Sequence, residues 1–375
     1  MEVYLDNAAT TPLDPKVFEE MKPYLTGTFG NPSSIHSHGR KAKAAVEVAR
    51  KKVAELLNTS PSEIFFTSGG TEADNTAIRC TVERYGIQHI ITSRLEHHAV
   101  LHTVEMLEKT GVRVTYLDFD EKGQIDLAQL EDLCIKHTGS LVTLMHGNNE
   151  IGNLIDLNRI GELCAEYGCF LHSDTVQTVG HFVHDLSTLK AHCLVGSAHK
   201  FHGPKGVGFL YLNAAHKLHP FIYGGAQERN MRGGTENVSG IIGLAKALEL
   251  AYAEMDSHRK HISSLKSHMI DQLNQIFDDI TFNGVSDKMD QSLYTVLNVS
   301  VPPSANNDML LFNLDINGIS ASGGSACSSG TDVGSHVLRA LSNDPDRGAV
   351  RFSFSKYNTH SEVDFTVAKL KEILS

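Results

Sequence analysis

Between residues 60 and 215 the chain alternates short, almost unbroken apolar runs with longer segments whose apolar residues recur every three or four positions. The runs are Ile64–Thr67, His89–Thr92, Val112–Leu117, Leu141–Met145, Cys169–His172, Cys193–Val195 and Val207–Tyr211. Apolar runs without strict alternation predict strands covered on both faces, as in a mostly parallel sheet. The intervening segments, such as "GTEADNTAIRCTVERYG" and "LNRIGELCAEYG", end in glycine and predict helices. Strand and helix in alternation specify an α/β unit with a doubly wound, seven-stranded sheet. Ligands of such sheets bind beyond the carboxyl ends of the strands.

Past this unit the pattern changes. A long helical segment is predicted over residues 240–278. It is followed by the strand-like stretches "YTVLNVSV" and "AVRFSFS" and by a closing helix over 361–374. These predict a smaller α+β domain. The expected division is a large domain over 12–255 and a small one made of 1–11 with 256–375. The latter carries a Ser/Gly-rich loop over about 320–331.

Length and charge narrow the class. A chain of 375 residues exceeds one ordinary core, which fits two domains. The formal charge is 33 − 44 = −11, and no run of five or more Lys/Arg occurs, so direct nucleic-acid binding is not expected. No stretch of about 18 apolar residues is present to span a membrane. The start, "MEVYLDNAATTP", lacks the order of a secretory signal. Six cysteines, at 80, 134, 164, 169, 193 and 327, form no CxxC pair. Five sit among apolar neighbours as small core residues, which points to a reducing cytoplasm. Cys327 stands apart, in "SASGGSACSSGTD".

Several polar motifs fall at predicted strand ends. In "FFTSGGTEADN" a strand enters Ser-Gly-Gly and then a helix opening at Thr71, a geometry that offers backbone N–H groups to a phosphate. In "VGSAHKFHGPKG" Lys200 follows a buried strand, where lost hydration frees its amine for Schiff-base chemistry. Asp174 and Gln177, in "HSDTVQ", end another strand, and a buried carboxylate there needs a cation or a strong donor. His97 and His98 follow a third strand. His98 and His102 share a helix face, but neither they nor "HKFH" have a third ligand in reach, and no metal site is expected. A lysine, an aspartate, a phosphate cup and an imidazole together fit pyridoxal phosphate.

With these motifs on view the chain resembles a family. "YLDNAATTP", "FGNPSSIHSHGR", "TSGGTEADN", "EHHAV", "MHGNNEIG", "HSDTVQ", "SAHKFHGPKGVG", "GGAQERNMRGGTEN", "GSACSSG" and "VRFSF" stand in the order of cysteine desulfurases of the NifS/IscS type. These are fold-type-I enzymes of the class V aminotransferase superfamily. The resemblance implies that Lys200 binds pyridoxal 5'-phosphate covalently, that Asp174 pairs with the ring nitrogen, and that Gln177 bonds the ring hydroxyl. His97 stacks on the ring and moves protons. Gly70, Thr71, Ser197 and His199 form the phosphate cup. Thr235 reaches the phosphate of a second subunit, which implies a homodimer. Asn149 and Arg351 hold the carboxylate of an L-cysteine substrate. Cys327 is the nucleophile that takes sulfur as a persulfide, leaving L-alanine. The sulfur then passes to an acceptor protein, an iron–sulfur scaffold or a tRNA-thiolation enzyme.

A selenocysteine lyase, another lyase or transaminase on the same fold, and a catalytically silent regulatory member are the alternatives. Three departures stand out. Thr175 occupies a position where the family usually has alanine, "GGSAC" makes the cysteine tether looser, and no long docking tail is expected after the closing helix.

Overall fold

The computed structural model describes residues 1–323, 334–342, 344 and 346–374. The chain opens with β1 (Val3–Tyr4), α1 (Pro15–Thr26) and α2 (Ser37–Leu56). Asp14 caps α1 by accepting from Lys16 N at 2.8 Å, and Pro15 fills the first helical position, where no N–H is needed.

The alternating region then folds as read. It comprises β2 (Ile64–Thr67), α3 (Gly70–Tyr85), β3 (His89–Thr92), α4 (His98–Lys109), β4 (Arg113–Tyr116), α5 (Leu127–Lys136), β5 (Leu141–Thr143), α6 (Leu157–Glu166), β6 (Phe170–Asp174), β7 (Cys193–Ser197) and β8 (Gly208–Leu212). The seven strands form one sheet in the order β2-β8-β7-β6-β5-β3-β4. Only β8 runs against its neighbours. Except in the edge strand β4, both faces are buried, which is why the runs carry no alternation.

Strand edges depart from the apolar runs by one or two residues. In the run at 141–145 Leu144 N still donates to His172 O at 3.2 Å, whereas Met145 N turns to the Glu96 carboxylate at 2.8 Å. The run at 169–172 extends to Asp174, whose partner is Val195 of β7.

The single helix expected over 240–278 is two helices. α7 (Val238–Ala253) and α8 (Met255–Ile276) meet at Glu254, which leaves helical geometry with φ −110 and ψ 11. The cause is packing. Ile241, Leu244 and Leu248 of α7 belong to the apolar core around the seven-stranded sheet. Leu265, Met269 and Leu273 of α8 belong to a second core. A straight helix cannot serve both, and no Gly or Pro marks the bend.

That second core lies on β9 (Thr281–Phe282), β10 (Val296–Val301) and β12 (Gly348–Ser353), ordered β12-β10-β9 and antiparallel. α9 (Leu310–Ile316), β11 (Ile319–Ser320), α10 (His336–Ala340) and α11 (His360–Leu374) complete this part. The chain start returns to it: β1 pairs with β11, and Val3 and Leu5 sit in its core. All five described cysteines are buried and unpaired. Among the described residues no helix is long and apolar enough to cross a membrane.

Candidate active site

Three strand ends and two helix starts converge on one cavity of about 220 Å³. β6 delivers Asp174 and, in the turn after it, Gln177. β7 delivers Ser197, followed by a single helical turn carrying His199 and Lys200. α3 presents Gly70 and Thr71 at its first turn, and His97 caps α4. Asn149 follows β5, and Arg351 arrives from β12. All ten of these line the cavity. They come from segments up to 281 positions apart in sequence (351 − 70), and the open ends of a parallel sheet are what gather them.

Lys200 reaches across to the chain start. Its Nζ donates to Ala8 O at 2.5 Å and to Ala9 O at 2.9 Å. The Ala8 carbonyl also takes Gln177 Nε2 at 3.0 Å. Nothing in "YLDNAATTP" marks these two alanines as site residues, because a backbone carbonyl leaves no trace in residue type. Asp6, Asp74, Met145, Gly147 and Val176 were likewise unassigned, and all but Asp6 line the cavity.

Asp174 is buried, and its Oδ1 accepts from Val176 N at 2.9 Å. Burial pushes its carboxyl above the usual range, while that N–H and the nearby Lys200 pull it down. His97 Nδ1 accepts from Ala99 N at 3.1 Å, so in the neutral ring the proton sits on Nε2. Burial, then the neighbouring charge of Lys200 and of His98, lowers His97 to about 4. His199 is also lowered to about 4, by burial first and then by Lys200, and its Nδ1 lies 3.1 Å from Thr10 Oγ1.

The Ser-Gly-Gly turn is built for close approach. Gly69 sits at φ +158, and as N-cap of α3 it offers no side chain to satisfy the helix's first N–H groups. A Cβ added to Gly70 would lie 2.7 Å from Val176 Cγ2. An anion is the natural partner for such a terminus.

Arg351 is buried and forked between two partners. Nη2 meets Asp6 Oδ1 at 2.6 Å, and Nη1 donates to Asn149 O at 2.8 Å. Its Nε has no partner. Thr175 follows Asp174 at the end of β6. Its hydroxyl donates to Val195 O at 2.6 Å, and it is not among the lining residues. Its branched side chain is turned into the sheet.

One expected site residue is not brought together with the rest. Thr235 is exposed and lines a separate hollow with Thr67, Ser68 and Arg232. Cys327 lies outside the described residues. His98 and His102 do stack, with ring centroids 4.8 Å apart, and His336 joins them at 4.5 Å from His98. Among the described residues no group of three or more His, Cys, Asp or Glu is placed to hold a metal ion.

The model of the class-V aminotransferases matches residues 3–365. The chain belongs to this family. A cysteine desulfurase IscS of Dictyoglomus turgidum is 43% identical, covering 100% of this chain and 94% of that relative. A putative cysteine desulfurase IscS 1 of Bacillus subtilis is 44% identical, covering 98% and 97%. Among solved structures, a NifS-like protein superposes with a TM-score of 0.91 at 38% identity, over 100% of this chain and 99% of that one. A second, described as SspA in complex with cysteine, gives 0.82 at 32% identity over 96% and 100%. The fold is thus that of the NifS-like members of the class-V family.

Proposed function

We propose that the cavity binds pyridoxal 5'-phosphate and that the protein is a cysteine desulfurase, converting L-cysteine to L-alanine with transfer of sulfur to Cys327. The observation that carries the cofactor reading is the convergence of Lys200, Asp174 and the uncapped start of α3 on one cavity. The residues fit the group: an amine for its aldehyde, a buried acid for its ring nitrogen, and free N–H groups for its phosphate. When bound, the cofactor supplies an electron-poor ring that draws electrons away from the substrate's Cα.

The chain's own residues divide the remaining tasks. Lys200 would hold the cofactor through its amine and, when free, would move the Cα proton. Asp174 stays anionic beside the ring nitrogen and keeps it protonated. Gln177, already bonded to Ala8 O, has its Oε1 to offer the ring hydroxyl. His97, neutral near pH 7 with its proton on Nε2, shuttles protons at that atom. Gly70, Thr71, Ser197 and His199 cup the phosphate. Arg351 and Asn149 hold the substrate carboxylate, a task suited to a planar fork. Cys327 acts as thiolate on the substrate sulfur.

Exposed Thr235 supports a homodimer in which it reaches the phosphate of a second copy. Two separate apolar cores support a large domain over 12–255 and a small one made of 1–11 with 256–375. We also infer a cytoplasmic enzyme whose persulfide passes to an acceptor protein for iron–sulfur cluster assembly or tRNA thiolation. Assay of alanine and protein-bound persulfide from L-cysteine tests the reaction. Wild type yields both and Cys327→Ser yields no persulfide; normal persulfide formation by Cys327→Ser would refute the role of that thiol.

A further inference from the structure

His172 and Asp174 stand two residues apart on β6, so their side chains leave the same face of the sheet. Asp74, four residues past Gly70 on α3, meets them there. Its Oδ1 lies 3.3 Å from His172 Nε2, and His172 Nδ1 is 2.8 Å from Thr143 Oγ1. Asp74 is 1% exposed and lines the Lys200 cavity together with Asp174. The contact with His172 is too poorly aligned for a hydrogen bond, and Asp74 Oδ1 has no other partner. A sealed, unsatisfied carboxyl on a cavity wall costs stability unless a ligand completes it.

The groups around Asp74 are His172 and Asp174 on β6, Glu96 and His97 ahead of α4, and His199 and Lys200 after β7. Burial pushes Asp74 well above the usual carboxylate range, and Asp174 and Glu96 push it the same way. Burial holds His172 neutral, at about 3. Lys200 lowers Asp174, whereas the charged groups that act on Asp74 are the acids Asp174 and Glu96, so Asp74 is the one of the two that keeps its proton until a further cation arrives.

We propose that Asp74 is a second counter-charge for the cofactor's ring, keeping its proton in the ring's absence and releasing it to solvent when the cationic ring binds. Asp74 and Asp174 then face the positive ring together as two carboxylates. This makes Asp74 a positioning residue, and it rests on the reading of the cavity as a pyridoxal phosphate site. The proton balance is simple: one O–H bond of Asp74 breaks, its electron pair stays on the carboxylate, and the proton goes to buffer.

Calorimetric titration of the full-length apoprotein with pyridoxal 5'-phosphate, in buffers of different ionisation enthalpy, counts that proton. Wild type is expected to release about one proton more per cofactor bound than Asp74→Asn, which is neutral at every pH. Equal counts would overturn the assignment. Absorbance of the same samples separates the two levels: no bound chromophore in wild type refutes the cofactor reading itself, whereas a chromophore with equal proton counts refutes only Asp74. Infrared difference spectra of wild type need no variant. They should lose a protonated-carboxyl stretch on cofactor binding, and its persistence would equally overturn the proposal.

Discussion

Arg351 Nη2 stands 2.6 Å from Asp6 Oδ1, and Arg351 is almost wholly buried. The guanidinium proposed to hold a substrate carboxylate is therefore already paired with a carboxylate from the chain start. The pair orients the fork but competes with substrate for its charge. With Arg351 replaced by lysine, the planar two-point grip is lost while the charge stays. KM for L-cysteine should rise about 10- to 100-fold, as befits one or two charged hydrogen bonds, with kcat changed less. Asp6→Asn should lower KM instead, because Arg351 then has a neutral partner. Steady-state kinetics of the two variants check both signs.

Acid should unfold this protein through its histidines. His146 and His172 are held at about 3, and His181 and His184 at about 4, each chiefly by burial, against an ordinary value of 6.5. A depressed histidine is neutral when folded, so below pH 6.5 the unfolded chain binds more protons than the native one. Stability then rises with pH over that window and is lost as pH falls from 6.5 towards 4. Each of these four contributes on the order of 1.4 kcal/mol per pH unit there. Urea midpoints between pH 7 and 4.5 should fall steeply, and His146→Gln should flatten the slope. A midpoint independent of pH would contradict this.

A buried ion pair ties the loop bearing Thr235 to α2 and β2. Arg50 Nη1 and Nη2 donate to the two carboxylate oxygens of Glu228 at 2.8 Å each, and Glu228 Oε2 also accepts from Phe66 N at 2.8 Å. Glu228, Arg229 and Asn230 take positive φ values of 44, 55 and 66, a conformation that side chains disfavour and that only strong partners hold. Replacing one member of such a pair leaves the other charge buried and uncompensated. Glu228→Gln should cost about 3–5 kcal/mol in denaturant unfolding, with the double change Arg50→Met/Glu228→Leu recovering part of it. A cost under about 1 kcal/mol for the single change would mean that water reaches the pair.

Much of the central sheet was legible in the sequence because strands buried on both faces leave unbroken apolar runs, and the motifs at their ends named most of the cavity wall. The bend at Glu254 was not legible, since it follows from two cores pulling one helical stretch apart and carries no Gly or Pro. Asp6 and Asp74 were invisible for different reasons. Asp6 matters through a partner 345 positions away. Asp74 reads as a polar residue on an amphipathic helix until the structure turns it onto the cavity. Thr175, an unusual residue in a functional motif, gives its hydroxyl to Val195 O on the neighbouring strand, a partner that residue type alone does not reveal.

The role of Lys200 decides the rest, and one measurement addresses it. Reduction of the purified protein with borohydride, followed by peptide mass mapping, should find a single pyridoxyl group on the peptide carrying Lys200, with none on Lys200→Ala. A pyridoxyl group on another lysine, or on none, would contradict the cofactor site built here.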